Sequence, residues 1–108
     1  MNDGARDTIY ALSSGSLPAA IAVVRLSGPH ATTALAALAG KLPPPRHAVL
    51  AALRHPETVE VLDNALIFHF AGPASATGED LAELHLHGGR SVVAAVLAAL
   101  ATLDGLRP

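Results

Sequence analysis

The amino-acid sequence predicts an α+β fold, a mixed and mainly antiparallel sheet with two main helices, on three observations. Several short segments carry strand-like apolar runs or alternation, and two longer segments repeat apolar residues at helical spacing. The chain has 108 residues, enough for one core and too few for two, so a single domain over 1–108 is expected.

The elements follow in order. Thr8-Ile9-Tyr10-Ala11-Leu12 reads as a short strand, and Ser13 to Pro18 as a loop, because Ser, Gly and Pro supply turn conformations. Ala20 to Leu26 is apolar except for Arg25, which predicts a second strand buried on both faces with Ile21, Val23 and Arg25 on one side. Gly28-Pro29 marks a helix entrance, with proline at the first helical position. Ala31, Ala34, Leu35 and Leu38 then form one stripe, and Gly40 ends the helix. Pro43-Pro44-Pro45 is a stiff connector, since three fixed φ angles join neither a helix nor an interior strand. Ala48 to Arg54 and Val59 to Phe70, separated by a turn at Pro56-Glu57, predict an antiparallel pair, with Asp63-Asn64 as the point where the second strand would break. From Leu81 the chain alternates, with Glu83, His85 and His87 on one face and Ala82, Leu84 and Leu86 on the other. After Gly88-Gly89 a helix begins whose buried stripe is Val93, Val96, Leu97, Leu100 and Leu103, and Gly105 ends it.

Composition narrows the function. Hydrophobic residues make up 51% and aromatic residues 3%, so the core is expected to be built of small aliphatic side chains. A net charge of −2 carries no basic footprint for nucleic acid or an anionic membrane surface. There is no cysteine, which removes disulfides and thiolate chemistry and fits a reducing compartment. The amino terminus lacks the apolar core of a secretory signal, and the longest low-charge run, Ser91 to Leu103, is shorter than the roughly 20 residues a membrane span needs. A cytoplasmic location and no membrane partner are expected.

The motifs of self-contained enzymes are absent: no GxxxxGK phosphate loop, GxGxxG, HExxH or GxSxG occurs. His30, His47 and His55 read as surface or loop residues and His69 as a half-buried strand histidine. Glu83, His85 and His87 lie on one strand face, each about 7 Å from the next, which suits a shared ligand, a metal ion included, or a plain solvated face. Arg25, in an apolar strand, calls for a carboxylate partner or an anionic ligand, and Glu79, Asp80 and Glu83 are the candidates. Thr77-Gly78-Glu79-Asp80 fits either a capping box or a ligand-binding loop. Gly88-Gly89 permits a sharp strand-to-helix turn with exposed amides.

Taken together, Asp7-Thr8-Ile9-Tyr10-Ala11, Ala22 through Gly28, Gly72 through Asp80, and Glu83 through Gly89 resemble, in order and spacing, the amino-terminal domain of the TrmE (MnmE) family of tRNA-modification GTPases. TGED followed by Glu83 and HGG carries the resemblance; DTI or RLSG alone would not. It implies a fold like the folate-binding domain of aminomethyltransferases, a homodimer, and a site for 5-formyl- or 5,10-methylene-tetrahydrofolate as one-carbon source. Arg25 and Glu83 match folate-contacting positions. Thr77, Gly78, Glu79, His87 and Gly88 extend the expected site. A pterin edge presents neighbouring N–H donors that the Glu83 carboxylate could accept as a pair.

In full-length members the resemblance implies a helical domain with an inserted GTPase domain, which would hold GTP with Mg and K ions. It also implies a flavin-dependent partner, and tRNA modified at the wobble uridine. This stretch, lacking a phosphate loop, is expected to hydrolyse no GTP alone. Two departures stand out. Ala76 occupies the place of the family's Tyr or Phe before TGED, and the loop Ser13 to Pro18 is poorer in glycine. A segment beyond Pro108 resembling PGEF is expected to complete the folate site. The rival readings are a dimerisation scaffold in which Arg25 and Glu83 only pair with each other, and a His/Glu metal-binding domain.

Overall fold

Along the central strands every second side chain is apolar, and these side chains enter one shared core. The computed structural model of the chain describes residues 7–13, 15–73, 75 and 78–108. Its elements are β1 (Thr8–Leu12), β2 (Ala19–Ser27), α1 (Ala31–Ala39), β3 (Val49–Arg54), β4 (Val61–Phe70), β5 (Leu81–Gly88), α2 (Arg90–Ala101) and β6 (Leu106–Arg107). The strands form one mixed sheet in the order β3-β4-β5-β2-β1-β6, antiparallel except for the parallel pairing of β1 with β6. The expected α+β class with two helices therefore holds.

Both helices lie over the same side of the sheet. Ala22, Val24 and Leu26 of β2, Ala65 and Ile67 of β4, and Ala82, Leu84 and Leu86 of β5 meet Ala31, Ala34, Leu35 and Leu38 of α1 and Val93, Val96 and Leu100 of α2. These small aliphatic groups fill the interface without large rings; Tyr10 is the one aromatic residue in the core cluster. The α1 stripe is the one its spacing predicts, and Gly40 ends the helix in the left-handed region at φ 72°. No described helix is long and apolar enough to cross a membrane.

Several expectations require correction. β2 is buried on one face only: Ile21 is 57% exposed on the other. An apolar run does not distinguish a strand buried twice from one whose second face carries aliphatic groups in the open. Pro29 precedes the N-cap, His30, instead of opening the helix. β4 continues through Asp63-Asn64, because Asp63 turns its carboxylate onto β5, accepting from the His87 amide at 2.8 Å. The capping-box reading fails, since β5 follows Asp80 directly and its carboxylate accepts from the Gly72 amide at 2.9 Å. α2 stops at Ala101, and Gly105 instead serves the turn into β6, which had no sequence pattern. His69 is buried. Its Nε2 donates to the Pro43 carbonyl at 2.8 Å, tying the proline connector to β4, while Nδ1 has no hydrogen-bond partner.

Candidate functional site

The sheet face without helices carries the polar residues. Antiparallel register sets Arg25 of β2 beside Glu83 of β5, and Glu83 beside Phe68 of β4. One row across three strands thus holds a cation, a carboxylate and an aromatic ring. Glu83 is buried at 7% exposure, whereas the Arg25 side chain is 45% exposed, so the carboxylate and not the guanidinium is the deeply placed charge. The expected arginine–carboxylate pairing is present, with Glu83 as the partner.

Its geometry is uneven. Arg25 Nε and Nη2 both donate to Oε2 of Glu83, at 2.9 and 2.6 Å, and Nε2 of His85 donates to Oε1 at 2.9 Å. A carboxylate offers about four acceptor positions, so these three bonds leave about one unused. Burial alone would raise the Glu83 pKa, but the hydrogen bonds from His85 and Arg25, with their charges, outweigh it and hold the carboxyl below its ordinary range. Glu83 is therefore an ionised acceptor at neutral pH.

Arg25 and Glu83 form one wall of an open cleft of about 460 Å³, whose remaining lining is Arg46, Phe70, Pro73, Ser75 and Leu81. This is the size range of small-molecule sites, and its mix of apolar walls with a few charged groups suits a flat heterocycle. Arg46 lies over the Phe70 ring with Cζ 5.4 Å from the centroid, and Phe70 meets Phe68 edge-on at 5.6 Å. The Arg46 backbone occupies the left-handed region at φ 66°, and its amide donates to the His69 carbonyl at 2.9 Å.

The other expected site residues divide into two groups. Gly78 and Glu79 adjoin the cleft: Ser75 Oγ donates to the Glu79 carbonyl, and Ser27 Oγ donates to Glu79 Oε1 at 3.2 Å. His87 and Gly88 sit at the far end of β5. The His87 ring bonds Asp63 at 2.8 Å, and a side chain on Gly88 would overlap the Ala19 carbonyl, so this glycine answers to packing. Thr77 and the departure at Ala76 lie outside the described residues. Among the described residues no three His, Cys, Asp or Glu side chains gather to hold a metal ion.

Sequence reasoning missed Arg46, Phe70, Pro73, Ser75 and Leu81. An arginine directly after three prolines was a usable sign. Phe70 and Leu81 look like any apolar strand residue.

The family model described as the GTP-binding protein TrmE N-terminus matches residues 8–108. The chain is 60% identical over 101 residues to the tRNA modification GTPase MnmE of Novosphingobium aromaticivorans, covering 94% of this chain and 23% of that protein. It is 61% identical over 102 residues to the namesake from Azorhizobium caulinodans, with the same shares, and 55% identical over 114 residues to that of Rhodospirillum rubrum, covering 25% of it. The chain thus spans about a quarter of the length of these curated relatives. With a matching family model over nearly all its residues and relatives of this identity, the chain belongs to the TrmE N-terminal domain family.

Proposed function

We propose that this domain binds a reduced folate, 5-formyl- or 5,10-methylene-tetrahydrofolate, in the cleft beside Arg25 and Glu83. It does so as the folate-binding and dimerising module of a cytoplasmic tRNA-modification GTPase that acts on wobble uridine with a flavin-dependent partner. The observation that carries the reading is the buried, ionised Glu83 on the wall of a cleft of about 460 Å³, held by Arg25 and facing aromatic and apolar lining. The donor set fits the ligand. A pterin edge offers N–H donors, Glu83 has about one acceptor position left and gains a second if Arg25 releases one of its two N–H groups, and Phe70 and Leu81 supply apolar surface for the ring. Arg25 holds Glu83 and can offer N–H groups to a ligand oxygen. The bound folate would supply a one-carbon unit. GTP, with its Mg and K ions, belongs to the remainder of such a protein.

Dimerisation draws on the lower half of the same face, where Ile21, Leu50 and Leu66 are 57, 65 and 44% exposed, a cluster of aliphatic surface next to the site. Isothermal titration with 5-formyltetrahydrofolate tests the folate reading. The wild-type chain is expected to bind, and Glu83→Ala to lose on the order of tenfold or more, as for charge-assisted hydrogen bonds. Unchanged binding by Glu83→Ala would end the role given to that carboxylate.

One observation favours a second reading, a dimerisation scaffold without ligand: Arg25 and Glu83 satisfy each other within the domain. Concentration-dependent sedimentation with no thermal stabilisation by folate is the outcome that reading requires.

A further inference from the structure

We infer that His85 is a positioning residue for the ligand: it anchors Oε1 of Glu83 from beside the cleft wall, so that Arg25, and not His85, yields when a ligand docks. The inference rests on the folate reading of the cleft for its binding consequences, and on contacts within the sheet for its mechanism.

His85 is not among the residues lining the cleft; it lies one row further along β5, beside Leu66 and Val23. Its Nε2 reaches Oε1 of Glu83 at 2.9 Å, and a carboxylate can only accept, so Nε2 carries the hydrogen. The ring is packed against Phe68, with centroids 4.8 Å apart at an angle of 46°, and Phe68 is braced in turn by Phe70. Its side chain is more enclosed than that of Arg25, 26% exposed against 45%. Arg25 places two N–H groups on the single atom Oε2, which is redundant.

A ligand edge with two adjacent N–H donors needs two acceptor positions, and Glu83 has about one unused. One internal donor must move. Releasing a single Arg25 N–H leaves Arg25 bonded through the other and bordering the cleft, whereas releasing His85 would free Oε1 and let the carboxylate turn. The wall therefore has a fixed half and a yielding half. Recognition follows the orientation that His85 imposes.

The test compares the 108-residue wild-type chain with His85→Phe, which keeps a ring against Phe68 and removes the donor, and with His85→Gln, whose amide can donate again. His85→Met repeats the donorless case should a larger ring crowd Phe68. Two quantities are read: the titration of the Glu83 side-chain carboxyl by carbon NMR without ligand, and the affinity for 5-formyltetrahydrofolate. His85→Phe is expected to move the Glu83 titration upward and weaken binding about five- to tenfold, the net scale of one ordinary hydrogen bond because His85 acts on the ligand only through Glu83, and His85→Gln to restore most of both. An unchanged Glu83 titration in His85→Phe and His85→Met overturns the proposal, as does failure of His85→Gln to recover affinity. If wild type binds no folate while the donorless variants still move the Glu83 titration, the folate reading falls and the anchoring by His85 stands.

Discussion

The two faces of β5 are made by neighbouring residues of one strand, yet they follow different rules. Ala82, Leu84 and Leu86 are sealed under the helices, where each is replaceable only by something of its own volume. Glu83, His85 and His87 point the other way and are specified by partners: Arg25 and His85 for Glu83, Asp63 for His87. A single residue step thus separates a position fixed by packing from one fixed by hydrogen bonding. The covered face holds the strands in register, and that register brings Arg25 opposite Glu83.

The contrast can be broken most forcefully from the covered side. Leu84→Ala removes a fully buried side chain from the centre of the sheet and is expected to cost about 2–5 kcal/mol, read from urea unfolding. A loss below about 1 kcal/mol would mean the core is far looser than its packing implies.

On the polar side, Glu83→Gln is expected to cost about 1–3 kcal/mol at neutral pH, since the three N–H donors of Arg25 and His85 lose a charged acceptor. The Glu83 carboxyl titrates below its ordinary 4.5 in the folded state. Its stabilisation is therefore complete above the unfolded-state value and lost as pH falls through the lowered folded value. Unfolding of both proteins across the acid range should accordingly show wild type and Glu83→Gln converging. A gap that stays constant would mean that Glu83 acts through its shape and not its charge.

The smallest effect is expected on the open face. Leu50→Ala, on the open face, is expected to change monomer stability by no more than about 0.5 kcal/mol while weakening any self-association seen in sedimentation. Equal losses for Leu50→Ala and Leu84→Ala in dilute solution would erase the distinction between the faces.

Much of the covered face was legible in the sequence because periodicity reports burial. The stripes of α1 and α2 and the alternation of β5 each follow from one short window. Arg25 was legible as a charge in an apolar strand that demands a partner, with Glu83 among the candidates. The cleft's other wall was not, since Arg46, Phe70 and Ser75 come from segments that only the β3-β4-β5 order brings beside Arg25. Nor was the division of labour along β5. The alternation placed Glu83, His85 and His87 together, but only the Asp63 carboxylate, reaching across from β4, separates His87 from the other two. β6 escaped notice because two residues are too few to show a period.

Arg46 carries a consequence for how this cleft could drift. Its backbone sits where glycine or asparagine rests more comfortably than arginine, a conformation costing on the order of 1 kcal/mol. Chance replacement by glycine would relax the turn while removing the guanidinium from the Phe70 ring. Stability and cleft chemistry pull in opposite directions at this one position, so a lineage released from the need for the cleft would be expected to surrender Arg46 early.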